Sequence, residues 1–110
     1  MRVALLILVA VATMALGTPA AAQNLNCRNP AGPTDFQVCR YPHLGELEDR
    51  VARRYFRARS ELRGPARQQF ERDHLEFRRE RVSCRDHVPC IEAAYRSWLD
   101  ESREYRPRRY

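Results

Sequence analysis

Apolar and polar positions alternate along this chain in two rhythms. Close to the start, Val3 to Leu16 is an almost unbroken apolar run behind Met1-Arg2, and GTPAAAQ follows it. Farther on, Leu44, Leu47, Val51, Tyr55, Ala58 and Leu62 recur at steps of three and four with charged residues between them. That spacing gathers apolar side chains on one face and predicts an amphipathic helix over 44–63. Ala66, Phe70, His74, Phe77, Arg81 and Cys84 make a second, less apolar stripe and predict a helix over 65–84. Ile91, Ala94, Tyr95, Trp98 and Ser102, with Leu99 beside them, predict a third over 90–105. Gly64-Pro65 divides the first two, since glycine suits the left-handed position after a helix and proline the first turn of the next. Arg85 to Pro89 interrupts the period between the second and third.

Short turns between three helices predict antiparallel neighbours. The expected fold class is all-α, an antiparallel three-helix hairpin or bundle. Residues 23–43 carry three prolines, a glycine and two cysteines without a sustained apolar period, and are expected to form an irregular lead-in held by a covalent bond. The basic tail, 106–110, is expected to fray. There is no glycine-rich phosphate loop, internal repeat or strand-like alternation.

The first rhythm has a different meaning. A short positive start, an apolar core and the small-residue exit Ala20-Ala21-Ala22 are the parts of a secretory signal peptide. The run is shorter than the roughly 20 residues that span a bilayer as a helix. Cleavage is expected after Ala22, leaving 23–110 as one periplasmic or secreted domain. Cys27 follows Asn24-Leu25-Asn26, which lacks the small residue expected before a lipidated cysteine.

Export decides how the cysteines are read. Cys27, Cys39, Cys84 and Cys90 all lie in 23–110, and an even number in a short exported chain indicates disulfides. Of the three possible pairings, Cys27–Cys39 with Cys84–Cys90 is favoured. Cys84 ends one predicted helix and Cys90 begins the next, where antiparallel packing can bring Cα atoms into the roughly 4.4–6.8 Å disulfide window. The C-x2-H-x2-C arrangement of Cys84, His87 and Cys90, with His43 as a further ligand, has the residue types of a zinc site. Its spacing is not a common zinc knuckle, and oxidation competes with metal capture outside the cell. A thiol redox centre would need C-x-x-C at a helix start beside a βαβ unit. His87 is therefore expected to be an exposed turn residue.

Charge adds a further possibility. All 20 basic residues are arginine, against 14 acidic ones, for a net charge of +6 that loss of Arg2 lowers by one. Arg53, Arg54, Arg57 and Arg59 cluster in the first predicted helix, Arg78, Arg79 and Arg81 in the second, and Arg103, Arg106, Arg108 and Arg109 at the end. Guanidinium groups pair bidentately with phosphate and carboxylate. Anionic lipid headgroups or envelope glycans are a possible partner class by charge alone, and nucleic acid is not expected in an exported chain. Glu76/Glu80 and Glu46/Asp49 sit at helical spacing among arginines and predict a solvated, ion-paired face. His74 falls on an apolar face, as a core or boundary histidine does. No serine or cysteine nucleophile comes with a base partner. The expectation is a binding protein rather than an enzyme, with no cofactor or metal.

Three motifs carry a resemblance. The first helix contains Leu44, Leu47, Glu48 and Tyr55, the second ends on Phe77, Arg81 and Cys84, and the third opens on Cys90, Ile91 and Tyr95. With Cys39 just ahead of them, their order and spacing resemble the LprI-type lysozyme-inhibitor family over 27–99. The resemblance implies a small exported helical domain that binds lysozyme and protects envelope peptidoglycan. The alternatives are an envelope module for anionic lipid or glycan, and a structural accessory protein without lysozyme activity. Animal lysozymes are generally basic, so long-range repulsion would slow the encounter with a basic inhibitor, although a local acidic patch could still dock. Lysozyme cleaves with two carboxylates in a cleft. Arg85, Asp86 and His87, displayed between Cys84 and Cys90, are the candidate partner-binding residues.

Overall fold

The computed structural model describes residues 25–105. The expected leader, its cleavage point after Ala22 and the basic tail 106–110 lie outside the described residues. Four α-helices follow one another: α1 Pro33–Arg40, α2 Pro42–Glu61, α3 Gly64–Ser83 and α4 Val88–Glu101, with a 3-10 turn over Ser102–Tyr105. The fold is all-α. The three apolar stripes became α2, α3 and α4.

The lead-in is not irregular throughout, because it contains α1. An eight-residue helix is too short to hold itself in water. Pro33 pre-sets its first turn, Asp35 lies in that turn and Arg40 in the last, each on the side the helix dipole favours. Val38 is its contribution to the core, at 1% exposure. One buried apolar residue makes no stripe, so periodicity could not find this helix. Tyr41 then turns extended ahead of Pro42, as residues before proline do, and α2 begins at once.

The remaining breaks follow similar local rules. Leu62 and Arg63 are extended, and Gly64 takes a left-handed φ of 55° in front of Pro65. At the end of α3 the left-handed residue is Arg85, with φ 53°, where glycine is the usual occupant. α4 starts at Val88, two residues before the predicted start, and its last turn tightens to 3-10.

α4 packs against both α2 and α3, and α1 packs on α2. The core is Val38, then Leu44, Leu47 and Val51 of α2, Phe70 and Phe77 of α3, and Ile91, Tyr95, Trp98 and Leu99 of α4. Each of the larger side chains adds roughly 1.5–3 kcal/mol on burial. The end of α4 is held by Arg54, whose Nη1 donates to the carbonyl of Leu99 and, at 3.0 Å, to Ser102 Oγ. Both disulfides have the expected local pairing: Cys27–Cys39 with Cα atoms 5.6 Å apart, and Cys84–Cys90 with 5.5 Å.

Candidate functional site

A chain of polar side chains runs through the core and touches every helix. Arg81 of α3, 1% exposed, donates to Asp35 of α1 at 2.8 Å and to the Tyr95 hydroxyl of α4 at 3.3 Å. Tyr95, fully buried, donates in turn to Glu48 of α2 at 2.5 Å. Burial, then the Glu48 carboxylate, pushes the Tyr95 phenol far above its ordinary value, so it keeps its proton. Burial alone would lower the Arg81 guanidinium, but the oxygens of Tyr95, Glu48 and Asp35 outweigh it and raise it. These groups are the residues of the recognised motifs: Glu48, Arg81 and Tyr95, with Leu44, Leu47, Phe77 and Ile91 beside them in the core. The motifs therefore build the frame and leave little of themselves for contact with a partner.

The turn between α3 and α4 is built from both sides. The Cys84–Cys90 bond closes it, and α1 clamps its main chain. Thr34 Oγ1 donates to the carbonyls of Arg85 at 2.7 Å and Val82 at 3.3 Å, and Gln37 Nε2 donates to the carbonyl of Asp86 at 2.9 Å. The side chains of Arg85, Asp86 and His87 are all exposed. The three sequence-predicted contact residues thus stand together on a fixed backbone. Cys84 and Cys90 are bonded to each other, which leaves His87 without thiolate neighbours for a metal. His43 lies 3.8 Å from the Glu92 carboxylate.

Below this turn, α3 and α4 enclose a groove of about 430 Å³. Asp73, Glu76, Glu80 and Glu101 line it over a floor of Phe77 and Trp98, and no basic side chain lines it among the described residues. Glu80 lies on the turn side and Glu101 at the far end, so the groove leads up to Arg85–His87. The ion pairing expected around Glu76/Glu80 falls instead on another carboxylate of α3. Glu71 is bonded by Arg59 at 2.8 Å and Arg67 at 3.3 Å, which lowers its carboxyl below the ordinary range through the Arg59 hydrogen bond first. Glu76 and Glu80, however, join no ion pair among the described residues. The sequence carries only part of this signal: Asp73, Glu76, Phe77 and Glu80 share one face at helical spacing.

A second recess, about 360 Å³, opens between α2 and α3 beside His74. His74 is a buried boundary residue, as its apolar face implied. Its ring stacks on Tyr55 at 3.9 Å between centroids and meets Trp98 edge-on at 5.4 Å. Nδ1 is buried with no hydrogen-bond partner. Burial, then the Arg78 and Arg81 charges, lowers its pKa to about 4.

No family model, curated protein or solved structure matches this chain.

Proposed function

We propose that this protein is an exported, non-enzymatic binding protein of the lysozyme-inhibitor type, which captures a basic partner on the α3–α4 groove. The observation that carries this reading is the charge of that groove. Among the described residues four carboxylates and no arginine line it, on a chain whose net charge is +6. Charge complementarity of this kind steers a basic protein to one face and suppresses docking elsewhere. The aromatic floor of Phe77 and Trp98 suits guanidinium and ammonium groups. Arg85, Asp86 and His87 stand at the head of the groove as a second, rigid contact. An arginine held left-handed where glycine is the default is the kind of local strain that clusters at functional positions. The two disulfides are compatible with an exported domain.

The test is a lysis assay with lysozymes of several classes, with and without the purified protein. Protection at micromolar concentration is expected, and Glu76→Lys/Glu80→Lys should abolish it. Absence of protection by the parent against every class sinks the lysozyme reading. Equal protection by parent and variant removes the groove from it. The second reading, an anionic envelope surface, is favoured by the exposed Arg50, Arg53 and Arg57 along α2. It predicts vesicle or glycan binding that survives Glu76→Lys/Glu80→Lys and is lost in Arg53→Ala/Arg57→Ala.

A further inference from the structure

The recess between α2 and α3 has the make-up of a small-molecule site, and nothing in the binding of a basic protein by the α3–α4 groove uses it. Its volume, about 360 Å³, falls within the usual range for ligand pockets, which combine apolar walls with a few convergent polar groups. The walls are Ala52, Tyr55 and Phe56, and Phe56 is 57% exposed at the mouth. Three polar side chains reach it: Glu48, His74 and Arg78.

Their charges are arranged in depth. Glu48 is 3% exposed and ends the buried chain, accepting from Tyr95, whose hydroxyl accepts from Arg81, while Arg81 also donates to Asp35. That chain sets two carboxyl groups against one guanidinium, and a buried charge without a partner is costly. Arg78 is exposed at the rim and joins no ion pair or hydrogen bond among the described residues. His74, 8% exposed, lines the recess with its aromatic ring. An acidic base, a positive rim and an aromatic wall together select against a simple cation and against a simple anion.

We propose that this recess binds a small zwitterion of the amino-acid class, with its ammonium toward Glu48, its carboxylate toward Arg78 and an apolar side chain along Phe56 and Ala52. The ammonium adds a second cationic group to a chain of two carboxyl groups and one guanidinium. The carboxylate finds the planar guanidinium fork that suits it. The site stands on its own and does not depend on what occupies the α3–α4 groove.

Trp98 supplies a readout, since it is the single tryptophan and its ring meets the edge of His74. The full disulfide-bonded domain is titrated with phenylalanine, 2-phenylethylamine and 3-phenylpropionate, which share the ring and differ in charge. Binding is followed by tryptophan fluorescence and by amide shifts of Ala52, Tyr55 and His74. Phenylalanine is expected to bind at about 1 mM or tighter, and each single-charge analogue about tenfold more weakly. Arg78→Ala should bring phenylalanine down to the level of 2-phenylethylamine while leaving 2-phenylethylamine unchanged. Equal binding of phenylalanine and 2-phenylethylamine would make this a cation site and overturn the proposal. So would the absence of shifts at Ala52 and His74 with all three compounds.

Discussion

The phenolic hydroxyl of Tyr95 donates a 2.5 Å hydrogen bond to Oε2 of Glu48, across the α2–α4 interface and deep in the core. It joins a chain from Glu48 through Tyr95 and Arg81 to Asp35, and so sets the register of four helices at once. Tyr95→Phe leaves the Glu48 carboxylate short of a donor and should cost about 2 kcal/mol. Arg81→Ala breaks the pair with Asp35 and the bond to the Tyr95 hydroxyl and should cost roughly 3–5 kcal/mol, with Arg81→Met costing less because it keeps the volume. Urea denaturation of the three variants tests the order. If Arg81→Ala costs no more than Tyr95→Phe, the guanidinium is not the hub of the chain.

Acid should weaken the fold through His74. Its folded pKa is about 4 against 6.5 for a free imidazole, so the unfolded chain takes up the proton first. The contribution is fully present above pH 6.5, falls as pH drops toward 4, and is lost below it. The total is on the order of 3 kcal/mol. His74→Phe keeps the stacking on Tyr55 and should flatten stability between those limits. A parent-like acid limb in that variant would assign the loss to other groups.

Arg85 is left-handed, which costs a residue with a side chain roughly 1–2 kcal/mol. Arg85→Gly removes that strain and loosens the unfolded chain, for a net gain of about 0.5–1 kcal/mol. If the arginine is a partner contact, the same variant should be more stable and protect less well against lysozyme. Thermal unfolding and the lysis assay read the two effects separately.

The two disulfides should differ in what their loss releases. Cys84 and Cys90 are six residues apart and Cys27 and Cys39 twelve, which corresponds to about 2 and about 3 kcal/mol by loop closure. Cys27→Ser/Cys39→Ser should also free α1 from the core, seen as faster amide exchange over 33–40 with α2–α4 protected. Uniform loss of protection would show that α1 is not a separate unit.

Most of the frame was legible because helical periodicity is a local signal. Leu44 to Leu62, Phe70 to Cys84 and Ile91 to Leu99 repeat every three or four residues, and any such repeat must bury one face. The cysteine pairing was legible for a related reason, since each pair is near in sequence and sits at a chain reversal. α1 was not legible. It has one core residue, Val38, and is held by contacts that its own sequence does not announce. Thr34 reaches Arg85, Gln37 reaches Asp86 and Asp35 reaches Arg81.

For the candidate sites, the sequence by itself singled out Arg85, Asp86 and His87 and placed them on a turn between two cysteines. Which acidic residues are free of arginine was decided only by the tertiary structure. Glu71 meets Arg59, while Glu76 and Glu80 turn toward α4 and line a groove with Glu101. The buried chain from Asp35 to Glu48 likewise joins residues 46 and 47 positions apart. A one-dimensional pattern reports which side chains share a helix face. The partner of a charge is set by how the faces pack, and that choice brought Glu48, His74 and Arg78 to one recess.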